Sequence, residues 1–398
     1  MDSFRGSGDS VALGQTRRPW FNSKGQEILD EQAPGHPAGY QADAGLVEAV
    51  NTALILAKPL LLTGRPGTGK SELAERVAWE LGIGPVLRFE AQSLSEAQEL
   101  FYRFDLVGQM ADAQLAPAQQ RSPLPAEHFL TFGPIGKAIL YANPGPYGDL
   151  IEWDRRCDAV GFAGPVGSDA EHERLPSPAH ATASTAATGG SVAARAARRS
   201  VVLIDEIDKA ARDVPNDLLN GIERMEFRIR DLRNRLIAAP DDPRFRPVVV
   251  ISSNSERDLP EPFLRRCVFY HIPDPTQDKL REILRARVAG LTPPGSESPP
   301  DAAAYPPLSP FYEALLSFFI AFRDDPAAHT AYTPGTSELL DWARVLQHLG
   351  ASPQHDLEGN KALLLRTLSA VVKHGDDVKT LLDAFKRLRQ VDLRPAST

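Results

Sequence analysis

Residues 64–71 read Gly-Arg-Pro-Gly-Thr-Gly-Lys-Ser, and the apolar run Leu60-Leu61-Leu62 stands just before them. Gly64, Gly67 and Gly69 let the backbone wrap closely, so that successive N–H groups converge on one anion. Leu73, Val77 and Leu81 recur at helical spacing behind the loop, and Gly82 ends that helix. Its positive N-terminal end faces the same anion. Lys70 supplies a mobile point charge for β- and γ-phosphates, and the Ser71 hydroxyl is suited to ligate Mg²⁺. Arg65, Pro66 and Thr68 complete the loop. A strand, this loop and a helix, in that order, specify a binding site for a nucleoside triphosphate. A chance Gly-rich turn would explain neither the full pattern nor its flanks.

The second constraint is Val201-Val202-Leu203-Ile204-Asp205-Glu206-Ile207-Asp208. Four apolar residues run into acids, which puts the acids at the C-terminal edge of a parallel sheet, where open α/β sheets bind ligands. Asp205 is expected to hold Mg²⁺ through water, and Glu206 to polarise the attacking water in phosphoryl transfer. Val248 to Asn254 is another buried strand ending in a polar amide. Asn254 is placed to orient the lytic water, or else is a simple turn former. Pro262-Phe263-Leu264-Arg265-Arg266-Cys267 sets two arginines before a further strand. A guanidinium suits the charge of a transferring phosphate; a pair of surface arginines is the plainer alternative.

Strand and helix signals alternate over the first part of the chain, which implies a parallel sheet with helices on its faces. Leu46, Val50, Leu54 and Ala57 predict a helix before the loop, and Pro85 to Phe89 a strand after it. Further strands are expected at Pro247 to Ser252 and Cys267 to Ile272. Residues 1–37 are expected to be a flexible arm, with Trp20 and Phe21 able to dock. Residues 38–273 form the α/β nucleotide-binding domain. An Ala/Ser/Thr/Gly/Pro-rich insert over about 163–199 interrupts it and is expected to be disordered. Residues 274–398 are expected to be a smaller all-helical domain, with helices over Thr276 to Val288, Pro310 to Phe322, Ser337 to Leu349 and Lys361 to Val372, and a linker from Leu291 to Pro300.

Taken together, Arg65 to Ser71, Leu203 to Asp208, Asn254 to Pro260 and Phe263 to Cys267 resemble the MoxR branch of the AAA+ ATPases. Gly133-Pro134-Ile135-Gly136 and the helix and hairpin from Asp217 onward add to the resemblance, which covers about residues 38 to 350 outside the insert. The resemblance implies an AAA+ sheet domain with a helical lid, ATP and Mg²⁺ as ligands, and a homo-oligomeric, usually hexameric, ring. Such rings act as chaperone-like remodellers of a protein substrate, often with a von Willebrand A domain partner. By the same resemblance Asn254 is the first sensor, and Arg265 and Arg266 are arginine-finger candidates acting on the neighbouring subunit. The family's second-sensor arginine is missing: Pro334-Gly335-Thr336-Ser337-Glu338-Leu339 stands there, with Thr336 or Ser337 as the expected helix N-cap. Arg344, two turns on, is the available substitute.

Phe227 and Ile229 alternate with Arg228 and Arg230 before a charged turn at Arg233, Asn234 and Arg235. By resemblance this hairpin faces the pore of the ring, gripping an acidic polypeptide or a nucleic acid. The other reading is a solvated edge protected by charge. Composition adds exclusions. Lys plus Arg number 44 against 52 Asp plus Glu, so the net charge of -8 does not favour non-specific nucleic-acid binding. No apolar run approaches the ~20 residues that span a bilayer, and residues 1–15 lack the apolar core of a secretory signal, so the expectation is a cytoplasmic protein with no membrane contact. Cys157 and Cys267 lack metal-ligand spacing and are expected to be free thiols. Three functions remain in view: an ATPase remodelling a protein; a nucleic-acid-directed NTPase motor of restriction or defence type, which uses ATP or GTP; and a nucleotide-gated scaffold, against which intact Glu206 and Asn254 argue.

Overall fold

The computed structural model describes residues 4–5, 20–21, 27–28, 36–83, 86–151, 197–288, 308–324 and 333–388. Most of the expected arm over 1–37, nearly all of the expected insert over 163–199, the Leu291 to Pro300 linker and Cys157 lie outside the described residues, as do the side chains of Trp20 and Phe21. The chain divides into two compact units. One comprises Met1–Leu29, Ala42–Thr63 and Lys70–His271; the other comprises Asp30–Gln41, Gly64–Gly69 and Ile272–Thr398.

The first unit opens with α1 (Ala44–Leu56), capped by the Asp43 carboxylate, which accepts the Leu46 N–H at 2.9 Å. Then follow β1 (Leu60–Thr63), α2 (Lys70–Leu81) and β2 (Val86–Glu90). Next come β3 (Tyr102–Phe104), α3 (Leu106–Ala118), β4 (Leu130–Phe132) and α4 (Pro134–Ala142). The remainder is β5 (Val201–Asp205), α5 (Val214–Arg224), β6 (Glu226–Ile229), β7 (Arg235–Ala238), β8 (Val248–Ser253), the short α6 (Glu261–Leu264) and β9 (Val268–His271).

Five of these strands make one parallel sheet in the order β9-β1-β8-β5-β2. Their composition explains the placing. β1, β5 and β8 are near-continuous apolar runs, buried on both faces, as interior parallel strands must be. β9 alternates half-buried with exposed positions, as an edge strand can. Register sets Ile251 of β8 beside Leu61 of β1 on one side and Ile204 of β5 on the other. That order carries the consequence for function: the strand leading to the glycine loop and the strand ending in acids both flank β8, which ends in Ser252, Ser253 and Asn254.

Two antiparallel hairpins stand apart from this sheet. β3 pairs with β4, with α3 carried between them, and β6 pairs with β7 around a turn in which Arg233 and Asn234 adopt the left-handed conformation. Phe227 of β6 packs against Phe101, Tyr102 and Phe132, which joins both hairpins to one apolar core. At Phe4 the chain is pinned to α1: the Phe4 N–H donates to Asn51 Oδ1, Asn51 Nδ2 donates to the Phe4 carbonyl, both at 2.8 Å, and the ring is buried.

The second unit is helical: α7 (Gln277–Arg287), α8 (Pro310–Arg323), α9 (Thr336–His348), α10 (Lys361–Arg366) and α11 (Gly375–Leu388). Its core is built on α8, where Phe311, Tyr312, Leu315, Leu316, Phe318, Phe319 and Phe322 are all buried, and on Trp342 of α9. Two expectations are corrected here. The helix expected from Lys361 to Val372 ends at Arg366 and gives way to a tight turn at Leu368–Ala370. Thr367 stands at the break: its hydroxyl donates back to the Leu363 carbonyl at 2.8 Å and accepts the buried Trp342 indole N–H at 2.9 Å. The N-cap of α9 is Gly335, not Thr336 or Ser337; Glu338 reaches back to accept the Gly335 N–H at 2.8 Å, which removes the need for a capping hydroxyl.

Candidate nucleotide site

In the first unit the C-terminal edge of the sheet gathers Ser71, Asp205, Glu206, Asp208, Ser252 and Asn254. Ser71 Oγ donates to Asp205 Oδ2 at 2.7 Å, from the first turn of α2 to the end of β5. The other Asp205 oxygen accepts the Ser252 hydroxyl of β8, and that same hydroxyl accepts the Glu206 N–H at 2.9 Å. One serine therefore fixes the carboxylate of Asp205 and the backbone of Glu206. Glu206 needs such help, because its φ of 55° lies in the left-handed region, which disfavours a residue with a Cβ. The turn throws the Glu206 side chain toward β8, where Asn254 Nδ2 donates to Glu206 Oε1 at 2.9 Å. Asp208 is buried and accepts the backbone N–H groups of Asn254 at 3.3 Å and Glu256 at 2.9 Å, so it braces the turn that presents Asn254.

Lys70 is buried at the start of α2. Burial pushes its pKa below the ordinary lysine value, while the charges of Asp205, Asp208 and Glu206 pull it back upward. An ammonium held among three carboxylates but short of water is a group that gains from a phosphate. Ser71 and Asp205, a hydroxyl and a carboxylate in direct contact, form the sparse oxygen set that Mg²⁺ uses when phosphates supply its other ligands.

The second unit contains the body of the glycine loop. Gly64 has φ 147°, and a Cβ there would lie 2.7 Å from the Ile272 carbonyl oxygen; Gly67 has φ 77°, and a Cβ there would collide with Ser337 Oγ at the start of α9. Both positions demand glycine for conformation, and Gly64 demands it for space as well. Arg65 pairs with Asp274 at 3.2 Å, and the Thr68 hydroxyl donates to the Arg65 carbonyl at 2.9 Å, so these side chains shape the loop. Tyr40 lays its ring against Gly69, and its neighbours Pro37–Gly39 form a short turn beside Ala286 and Arg287 of α7. Sequence reasoning placed residue 37 in a flexible arm and missed this wall; His36-Pro37-Ala38-Gly39-Tyr40, a buried turn signal close before α1, was the available clue. Arg344 hydrogen-bonds Asp341 and the Arg287 carbonyl, both at 3.4 Å, and so closes the end of α7.

The structure brings Lys70, Ser71, Asp205, Glu206 and Asn254 together. Arg265 and Arg266 stand elsewhere on the first unit: Arg265 pairs with Glu261 at 2.7 Å and Arg266 with Glu223 at 3.1 Å. In the β6–β7 hairpin Arg235 is committed to Asp149 through two bonds of 2.7 and 3.1 Å, which holds that aspartate's pKa below the usual carboxylate range. Cys267 is a free thiol, and burial pushes its pKa up to about 12.

Residues 166–267 match the family model of the AAA domain, dynein-related subfamily. The fold is AAA+. The matched stretch holds β5 with its acids, β8 with Asn254, and both Arg265 and Arg266, while the glycine loop precedes it. The sheet order and the helical second unit make the chain an α/β AAA+ domain followed by a helical lid domain. Among solved structures, that of C. elegans PCH-2 matches at 13% identity over 87% of this chain and 69% of that chain, with a TM-score of 0.36. No curated protein matches the chain. Among the described residues, no helix is long and apolar enough to cross a membrane.

Proposed function

We propose that this AAA+ chain is a Mg²⁺-dependent ATPase that works as a ring, hexameric by its resemblance to MoxR proteins, and remodels a protein partner. The observation that carries the reading is the linked array Ser71–Asp205–Ser252–Glu206–Asn254 at one sheet edge. Gly64 to Gly69 and Lys70 receive the phosphates. Ser71 and Asp205 hold Mg²⁺, whose charge, when bound, offsets that of the phosphates. Glu206 takes the proton of the attacking water, and Asn254 orients the Glu206 carboxylate toward it. Arg265, exposed, and Arg266, half-buried, are held by pairs with Glu261 and Glu223 and supply the arginine finger to a neighbouring subunit.

A protein partner is favoured over a nucleic acid by α3. Leu106, Val107, Met110 and Leu115 are exposed on this one helix, and only Ala116 of its residues is buried. Large apolar side chains clustered on a surface mark contacts with protein. The hairpin, by contrast, spends Arg235 on Asp149. By family resemblance a von Willebrand A domain protein is the expected class of partner, and the cytoplasm the expected site of action.

The test is Glu206→Gln. It keeps the shape and the Asn254 bond but removes the base. The expected result is ATP binding within about threefold of the native protein, with phosphate release reduced at least about 100-fold, in the range of lost general-base catalysis. Undiminished release would remove Glu206 from the mechanism. The Glu206→Gln form in ATP is then the bait for partners; retention of DNA or RNA with steep salt dependence, and of no protein, would favour the nucleic-acid motor instead.

A further inference from the structure

Both oxygens of the Glu206 carboxylate are engaged. Oε1 accepts Asn254 Nδ2 at 2.9 Å, and Oε2 accepts Lys209 Nζ at 2.5 Å. Lys209 is three residues on, at the end of the single turn Ile207–Lys209 that follows β5. That turn is fixed from below: Ile207 and Asp208 are buried, and Asp208 is tied to the backbone after β8. The lysine therefore rises from a rigid base, and the left-handed Glu206 turns its side chain to meet it. Glu256 beyond β8 and Glu90 at the end of β2 add acidic charge around Lys209. With Glu206 the first cause, they hold its pKa above the ordinary lysine value. Lys209 is thus an ammonium throughout the neutral range.

A carboxylate acts as a base through a lone pair that reaches water. The Asn254 amide occupies one oxygen and can be kept while water approaches the other. An ammonium on that other oxygen competes with the water for it. We propose that Lys209 is a positioning residue that holds Glu206 in a resting pose, and that it thereby restrains basal hydrolysis. This rests on Glu206 being the base, as argued above. The alternative is a half-exposed i,i+3 ion pair of no consequence for catalysis, such as surface pairs often are. A pair of that strength still shifts the occupancy of one lone pair by about two- to fivefold, which sets the size of the effect.

The experiment compares native protein, Lys209→Met and Lys209→Arg in the full chain. Lys209→Met keeps the length and removes the ammonium. It should raise kcat for ATP about two- to fivefold with KM within about twofold, while Lys209→Arg stays near native. Because the Lys209 pKa is raised, its proton stays on below the ordinary lysine value, so the ratio of Lys209→Met to native kcat should be level from about pH 7 to about pH 9. A drop in kcat for Lys209→Met would make Lys209 a contributor to turnover and overturn the proposal; equal kcat in all three proteins would also overturn it, leaving a surface pair. A second measurement does not depend on turnover. The Lys209 ammonium is titrated by ¹⁵N NMR in the native protein and in Glu206→Gln. Its midpoint should fall in Glu206→Gln; an unchanged midpoint means the pair does not form and sinks the proposal by itself. If the midpoint falls but neither the native protein nor Lys209→Met turns over ATP, the pair is real, and both the brake and the ATPase reading fail.

Discussion

Lys70 carries a charge where water is scarce, a cost that the proposed phosphate would offset. The sign follows from its pKa, which burial lowers. The unfolded chain binds the proton more tightly than the folded one, so the charged lysine opposes folding below its folded pKa. That opposition is relieved as pH rises from the folded pKa to the ordinary lysine value. Lys70→Met should therefore leave the melting temperature of the nucleotide-free protein unchanged or raised at pH 7, and should shrink the native protein's gain in stability toward about pH 10. It should also abolish the thermal shift produced by ATP with Mg²⁺. Thermal unfolding with and without nucleotide reads all three; a retained ATP shift would remove Lys70 from phosphate binding. Asp208 gives a second case. Asp208→Ala strips the acceptor from two part-buried backbone N–H groups, at a cost of about 0.5–1.5 kcal/mol each, and lets Asn254 drift from Glu206. Chemical denaturation should show the loss of stability, and kcat should fall more than KM rises. At this scale the sequence was legible where chemistry demands a residue type: Lys70, Ser71, Asp205 and Glu206 stand on motifs. Ser252, Asp208 and Lys209 were not, because their roles arise from pairings across or beside β5 and β8, between residues up to 48 apart in the chain, and a serine after a strand carries no signal of what it will face.

The elements of the central sheet were readable for a physical reason. Strands buried on both faces must be continuously apolar, and Leu60 to Leu62, Val201 to Ile204 and Val248 to Ile251 are. The strand order was not readable, since nothing local distinguishes a neighbour of β1 from a neighbour of β2. Residues 91–132 stayed unassigned for the opposite reason: β3 and β4 are three residues each, and α3 turns its large apolar side chains outward, so no periodic burial pattern exists to be found. That outward face makes the prediction at this scale. A triple variant, Leu106→Ser, Val107→Ser and Met110→Ser, removes no buried contact, so unfolding temperature and unstimulated ATP turnover should stay near native. Retention of an unfolded probe protein, reduced and alkylated casein, on the ATP-bound Glu206→Gln form should fall several-fold when the triple change is added. Undiminished retention would move the partner surface off α3.

The proposed assembly is a matter for the whole molecule, and Arg265 and Arg266 are where it can be tested. Arg265 and its partner Glu261 are each about three-quarters exposed, at 76% and 75%. Exposed pairs of this kind contribute about 0–1 kcal/mol and exchange readily for a stronger anion. A phosphate on an adjoining subunit is such an anion, and a guanidinium placed on the transferring group can gain roughly 10³-fold or more in rate. The active site would then be composite, with Lys70, Asp205 and Glu206 from one subunit and an arginine from the next. The double variant Arg265→Ala, Arg266→Ala should bind ATP and hydrolyse it at least about 100-fold more slowly, a conservative share of that gain. Glu206→Gln should be slow for its own reason. Mixed in equal amounts and allowed to exchange subunits, the two should regain activity, because some interfaces join an intact Glu206 to an intact pair of arginines. Phosphate release from each variant and from the mixture gives the answer, and co-purification of differently tagged chains shows that mixed assemblies form. Mixed assemblies without regained activity would place the arginines' effect within their own subunit. A double variant as active as the native protein would leave Arg265 and Arg266 as surface charges paired with Glu261 and Glu223 and nothing more.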